Sequence, residues 1–240
     1  NGIPDILDEA KWGLDWLVKM NPDKDTYFNQ LADDRDHVGM TIPSEQKVDY
    51  GWGTGNARPV YFCSPKPQGL RKYKNRSTGL ASTLGKYASS FSLGSKVLAK
   101  YYPEFSQLIA QKAKDAYQKG MENPGVCQTA CTVSPYFYEE DNWADDMQLA
   151  ATEIYSLNKT METLSQAVNY GRLEPVTPWM GADSARHYQW YPFINLGQYQ
   201  LAKQNINSRV GKEFIRNMRS GLQRVKDRAQ GDAFLNGVPF

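Results

Sequence analysis

Cysteine occurs only three times and histidine only twice in these 240 residues. Cys63, Cys127 and Cys131 form no disulfide framework, although one bridge is open to them. Cys127 and Cys131, four apart, have no second pair with which to complete a tetrahedral zinc site. Neither sign of charge is in excess. The 28 basic and 26 acidic residues leave a net charge of +2, so the charge balance points to no nucleic-acid partner. The densest basic cluster, "RKYKNR" at 71–76, is short and reads as a solvated loop rather than a phosphate site. No apolar run approaches the roughly 18 residues of a membrane-spanning helix. There is no signal-peptide pattern, and the chain starts without Met, almost in a helix. It reads as a fragment or processed form, so the missing leader carries no information on compartment. Strands do not alternate with helices, which argues against a doubly wound sheet. No fixed-length repeat appears, which argues against a regular solenoid.

Apolar residues at helical spacing are plentiful. Ile6, Leu7, Ala10, Leu14, Leu17 and Met20 mark a first helix. Pro4 sits at its start, Asp5, Asp8 and Glu9 lie near its positive end, and Asn21-Pro22 stops it. The pattern predicts further helices over 77–100, 104–120, a stretch from about 143, 160–172, 193–204 and 208–229. The 77–100 helix is crowded with Gly, Ala and Ser, which permit close helix approach at some cost in propensity. Residues 27–75 are instead irregular and rich in Gly and Pro, with short strands such as Pro59–Phe62. A connection that long inside a compact domain is uncommon and is often functional. Helical hairpins joined by long and short connections in turn suggest a toroid of paired helices with the long loops on one rim.

Aromatics make up 12 % of the chain, and many of its 15 Tyr and 6 Trp fall in those loops, where flat rings can stack on a ligand. The stretch "SPYFYEEDNWADDMQLAATEIY" (134–155) is the densest case. Asn142 or Asp141 is the expected N-cap, and Met147, Ala150, Ala151, Ile154 and Tyr155 form the buried stripe of the helix after it. A cap does not require Tyr136, Phe137 and Tyr138 beside Glu139, Glu140 and Asp141. Rings with carboxylates at a helix mouth suit a sugar, since rings cover its C–H faces and acids accept from its hydroxyls. A capped helix with a solvated acidic turn is the plainer alternative.

Ile6–Met20, "ILDEAKWGLDWLVKM", is similar to a helix of glycoside hydrolase family nine, the endoglucanase-type cellulases, which reads "LLDEIKWGLDWLLKM". Later landmarks resemble the family in the same order: Asp36-His37, Arg58-Pro59 before Tyr61, and Pro67-Gln68-Gly69 leading to a small-residue helix. Pro135–Met147 and Trp190 before Leu201-Ala202 complete the series. The resemblance implies an all-α fold, an (α/α)6 toroid with long rim loops and an open cleft, of which residues 1–240 form an incomplete portion of one catalytic domain. It implies inverting hydrolysis of a β-1,4-glucan, a polysaccharide or oligosaccharide partner, a secreted or periplasmic location, and no cofactor. By the same resemblance, Tyr136, Phe137 and Tyr138 line the glucan cleft, while Asp145 and Asp146 serve the helix start. His37 hydrogen-bonds a sugar hydroxyl, and Trp190 stacks on a sugar ring. Where many members continue the Asp-His pair as "DHxWWGP", this chain has "DHVGMTIP". Tyr50 or Trp52 in "VDYGWGTG" is the candidate replacement platform. The longer, more acidic "CQTACTVSPYFYEED" also departs from the family and leaves the exact glucan open.

Inverting hydrolysis requires a general acid and a general base about 6.5–9.5 Å apart. The family takes its base from an Asp-Ala-Gly-Asp loop before the first helix and its acid from a Glu near the end of the domain. The chain contains no such Asp-Ala-Gly-Asp and no Glu beyond Glu213. The catalytic carboxylates are therefore expected outside 1–240, and no catalytic residue is assigned. His187 has only its loop position in favour of a role. Asp33, Asp34 and Asp36 lack an ordered calcium-ligand spacing, so no metal is expected. A non-catalytic glycan-binding helical domain and an α-solenoid interaction domain are the competing classes. The long 27–75 segment counts against the second.

Overall fold

The computed structural model describes residues 1–37, 39–40, 42–55, 57–69, 73–133, 142–173 and 196–237, the Pro43 side chain excepted. Among these, seven α-helices and two short strands follow in the order α1 (Asp5–Met20), β1 (Phe28–Leu31), β2 (Val60–Phe62), α2 (Ala81–Leu98), α3 (Pro103–Glu122), α4 (Ala144–Asn158), α5 (Met161–Leu173), α6 (Leu196–Gln204) and α7 (Arg209–Gln230). Successive helices pair as hairpins: α2 with α3, α4 with α5, α6 with α7. The first helix of each hairpin also packs on the next one, α2 on α4 and α4 on α6, while α1 leans on α2. This is the all-α arrangement expected of a portion of an (α/α)6 toroid, with an inner row of α2, α4 and α6 backed by an outer row.

The helical stripes explain the core. Leu84, Phe91, Leu98, Ile109, Met147, Leu201 and Phe214 are fully buried, and each such side chain contributes about 1.5–3 kcal/mol relative to exposure. The small residues of α2 allow its two close approaches. A Cβ on Gly85 would stand 2.7 Å from the Asp146 backbone of α4, and one on Gly94 would stand 2.5 Å from Leu14 Cδ1 of α1. Polar ties lock the same crossings. The Tyr87 hydroxyl donates to the carbonyls of Met20 (3.1 Å) and Phe28 (2.8 Å). Lys86 pairs with buried Asp146 at 2.8 Å, and Lys96 with Glu153 at 3.4 Å, both across α2 and α4.

Several boundaries differ from the sequence pattern. α2 begins at Ala81 rather than Ser77, because the preceding residues bond sideways to another segment. The Thr78 and Gly79 amides donate to the Val126 carbonyl at 2.8 and 3.1 Å, and the Ser77 hydroxyl accepts from the Gln128 amide at 2.8 Å. The cap position of α4 is Trp143, with no side-chain cap bond; Asn142 Oδ1 instead accepts from the Ala144 amide at 3.1 Å in a local turn. In α1, Ile6 and Ala10 face solvent, since the helix leans on α2 through its C-terminal half, where Leu14 reaches Gly94. In α7, Leu222 is exposed and Gly221 takes the buried place. β1 was hidden within the irregular 27–75 stretch. Among the described residues, no helix is long and apolar enough to cross a membrane.

Candidate functional site

β1 and β2 pair antiparallel, Phe28 opposite Phe62 and Leu31 opposite Val60, with an irregularity between Phe28 and Gln30. The Ala32 amide extends the pairing to the Pro59 carbonyl at 2.8 Å. Ala32 then turns the chain through the left-handed region, at φ 65°, a conformation costly for a residue with a Cβ. That turn delivers Asp33 to His37, with a 3-10 turn over Asp34–Asp36, to the end of the strand pair.

Asp33 organises this end of the strand pair. Its carboxylate accepts from Arg35 Nε at 2.8 Å and Nη2 at 2.6 Å, a two-point fork, and from the Tyr61 hydroxyl at 2.6 Å. Burial pushes the Asp33 carboxyl up, but the Arg35 fork, Tyr61 and the Arg35 amide outweigh it, so the net shift is downward from the ordinary 3.8. Burial and the neighbouring Asp33 push the Tyr61 hydroxyl up, which keeps it a proton donor. Asp34 is spent differently. It accepts from the Thr132 amide at 2.7 Å, the Thr132 hydroxyl at 2.9 Å and the Val133 amide at 3.0 Å. Gln30 clasps the same segment, donating to the Ala130 carbonyl at 2.9 Å and accepting from the Ala130 amide at 2.6 Å.

On the other side, Arg35 Nη1 donates to the Tyr50 carbonyl at 2.8 Å, and its guanidinium lies over the Tyr50 ring at 5.0 Å. The Tyr50 hydroxyl donates to Asp36 Oδ2 at 3.1 Å. The Trp52 ring is offset-stacked on Tyr50, centroids 6.1 Å apart, while its indole N–H donates to the Ala57 carbonyl at 2.9 Å. Asp49 holds this loop, accepting from the Gly51 and Gly53 amides at 2.7 and 3.0 Å. Trp52 remains 56 % exposed, which leaves a ring face for a ligand.

A cleft of about 270 Å³ lies beside the Asp33–His37 turn, lined by Gln30, Asp33, Asp34, Asp36, His37 and Thr129 among others. The His37 ring is half-exposed at its mouth, Nε2 4.0 Å from Asp36 Oδ1. A second hollow of about 330 Å³ lies beside Gln46, Tyr50 and Arg58. Of the predicted site residues, His37 and Trp52 are thus joined through Asp36, Tyr50 and Arg35. Tyr136, Phe137, Tyr138 and Trp190 lie outside the described residues, as do Glu139, Glu140, Asp141 and His187. The Val133 amide held by Asp34 is the last anchored point before residue 134. In the sequence Asp33 and Asp34 carry only a calcium candidacy and Tyr61 only a place among the landmarks of the resemblance, and nothing marks Gln30 or Arg35. Asp33 and Arg35 pair across two residues, but Tyr61–Asp33 and Gln30–Ala130 join positions 28 and 100 residues apart, and no local pattern shows those. Asp145 and Asp146 do stand at the α4 start, with Asp146 buried on Lys86.

The chemistry offered is an exposed ring backed by a second ring, with an imidazole and a carboxylate at the cleft edge. That combination suits a polyhydroxylated ligand with apolar faces. It stands on a rim carried by paired helices. The chain belongs to glycosyl hydrolase family 9, whose sequence model matches residues 1–238. It is 26 % identical to Endoglucanase C of Cellulomonas fimi over 205 residues, 84 % of this chain and 16 % of that protein. It is 28 % identical to a cellulose 1,4-beta-cellobiosidase of Acetivibrio thermocellus over 159 residues, 65 % of this chain and 16 % of that protein. The fold is similar to the crystal structure of the cellulase Cel9M of C. cellulolyticum, with a TM-score of 0.66 at 16 % identity, covering 92 % of this chain and 45 % of that one. It is also similar to a metagenome-derived family 9 endoglucanase, with a TM-score of 0.63 at 19 % identity, covering 97 % of this chain and 37 % of that one. The chain thus spans less than half the length of each of these relatives.

Proposed function

We propose that residues 1–240 are part of a single helical catalytic domain that hydrolyses a β-1,4-glucan with inversion. In this reading the chain supplies one wall of the glucan cleft, and the two catalytic carboxylates come from outside it. The observation that carries the reading is the exposed Trp52 ring, stacked on Tyr50 and linked through Asp36 to the cleft edge beside His37. Trp52 stacks on a sugar ring, and His37 bonds a hydroxyl. Tyr136, Phe137, Tyr138 and Trp190 extend the platform. The endoglucanase and cellobiosidase names of the relatives support cellulose or a related glucan as the substrate class. Such a polymer is too large to enter a cell, which favours a secreted or periplasmic enzyme.

The described acids support placing the catalytic pair elsewhere. Asp33 is forked to Arg35, Asp34 is spent on Thr132 and Val133, and Asp146 is paired with Lys86. Glu139, Glu140 and Asp141 are consecutive and poorly suited to straddle a sugar with a water between. These commitments equally favour a second reading, a glycan-binding domain without catalysis. Reducing-sugar release from carboxymethyl cellulose separates the two. The longer protein that contains these residues should turn over, and residues 1–240 alone should not. Turnover by residues 1–240, abolished by Glu139→Gln or Asp141→Asn, would overturn the placement of the acids. A parent that binds cello-oligosaccharides but cleaves none would favour the second reading.

A further inference from the structure

The strand pair and the segment after α3 meet at two cysteines that the glucan cleft does not use. Cys63 lies just past the end of β2, and its amide donates to the Tyr27 carbonyl at 2.8 Å. Cys127 lies 64 positions on, its amide bonded to the Ser82 hydroxyl of α2 at 2.9 Å. The Cys127 sulfur accepts from the Ser64 amide at 3.3 Å, the peptide bond directly joined to Cys63, and from Asn29 Nδ2 at 3.2 Å. That Ser64 bond sets the Cys127 sulfur against the backbone at Cys63. Two N–H donors therefore converge on one sulfur. This is the surrounding that favours a thiolate in a dithiol pair.

Cys131 stands apart from this arrangement. Its thiol donates to the Tyr73 carbonyl at 2.9 Å, so it is turned towards another neighbour. The close sequence spacing of Cys127 and Cys131 would suggest them as partners, and the geometry selects Cys63 instead. Among the described residues all three are thiols. The neighbouring Cys127, followed by burial, pushes the Cys63 thiol well above its ordinary value.

We infer that Cys63 and Cys127 are a redox-active pair that closes to a disulfide, joining β2 to the segment that leads towards residues 134–141. The oxidant is a small disulfide such as oxidised glutathione. Cys127 is buried and Cys63 only half-buried, so the reagent meets Cys63 first. The Cys63 proton passes to solvent water, and the small thiolate fraction so formed attacks one glutathione sulfur. The glutathione S–S bond breaks, and one glutathione thiolate leaves and takes a proton. Cys127 then gives its proton to solvent and, with the Asn29 and Ser64 N–H donors on its sulfur, attacks the Cys63 sulfur of the mixed disulfide. The Cys63–Cys127 bond forms as the second glutathione thiolate leaves and is protonated. Two protein thiols are oxidised and one disulfide is reduced to two thiols.

The test incubates the reduced full chain with oxidised glutathione, then counts thiols in denaturant and maps peptides. The expected result is a fall from three titratable thiols to one, with the tryptic peptide of Cys63 linked to the one that carries both Cys127 and Cys131, and fragmentation placing the bond on Cys127 and the alkylated thiol on Cys131. Cys131→Ser should still close the bridge, whereas Cys63→Ser should not. Cys63→Ser is the safer variant because Cys127 is buried in the core. Three thiols remaining, glutathione retained on Cys63, or a Cys127–Cys131 link would each overturn the inference. Glucan binding plays no part in the measurement, so its outcome is independent of the proposed function.

Discussion

Asp34 accepts from the amide of Thr132 at 2.7 Å, 98 residues away, and so couples the turn after β1 to the segment after α3. The same carboxylate takes the Thr132 hydroxyl and the Val133 amide. With Asp34 buried, no water can replace it cheaply. Asp34→Asn keeps the shape but turns an NH2 group towards those donors. Hydrogen bonds to a charged group are worth about 1.5–3 kcal/mol. The variant should lose about 2–3 kcal/mol of stability in urea denaturation, with a lower midpoint at an unchanged slope. An unaltered midpoint would show that the anchor is not needed.

The Trp52 side chain is held by its indole N–H bond and its stack on Tyr50. Trp52→Ala should change stability little, by about 0.5 kcal/mol, as is usual for exposed positions. Loss of a stacked ring should weaken cello-oligosaccharide binding by about 1–3 kcal/mol, by analogy with base–aromatic stacking, or about tenfold or more. The same loss is expected for Trp190→Ala. Calorimetry on the longer protein checks both. Unchanged affinity in a folded Trp52→Ala variant would remove the observation that carries the proposed function.

Asp33 makes stability sensitive to acid. Its folded carboxyl titrates below 3.8, so its stabilising contribution is fully present above that value and is lost as pH falls through the depressed folded one. The stability gap between the native chain and Asp33→Asn should be wide at neutral pH and narrow below 3.8. Denaturation midpoints measured along a pH series give the gap directly. A gap that stays constant into acid would mean that the Arg35 fork does not favour the charged form.

Gly85 sets the distance between α2 and α4. Ala at this position would place its Cβ 2.7 Å from the Asp146 backbone. Neither helix can yield without disturbing the Lys86–Asp146 pair. Overpacking of this kind costs about 1–3 kcal/mol, and thermal denaturation of Gly85→Ala should show that loss. Ser at the same site should cost at least as much, since it adds an oxygen to the same clash. A Gly85→Ala variant as stable as the native chain would mean that the crossing can relax.

The helices could be read from residue order alone, because each helix's own periodic stripe has to be buried whatever its neighbours are. Met147 was legible for that reason. The crowding of small residues in α2 likewise announced a close crossing before the partner was known, and the ordered motifs from Ile6 to Trp190 were enough to indicate the family. The start of α2 depended on packing, since Ser77 and Thr78 spend their bonds on a segment some 50 residues later in the chain. So did the roles of Asp33, Asp34 and Arg35. A carboxylate in a Gly- and Pro-rich stretch has the same local appearance whether it meets water, a sugar or a buried amide. What it meets is fixed by the strand pair and the loop after α3 coming together, and that contact is not written into any local stretch of residues. The pairing of Cys63 with Cys127 has the same origin, because the fold brings the peptide after Cys63 onto the Cys127 sulfur from 63 residues away.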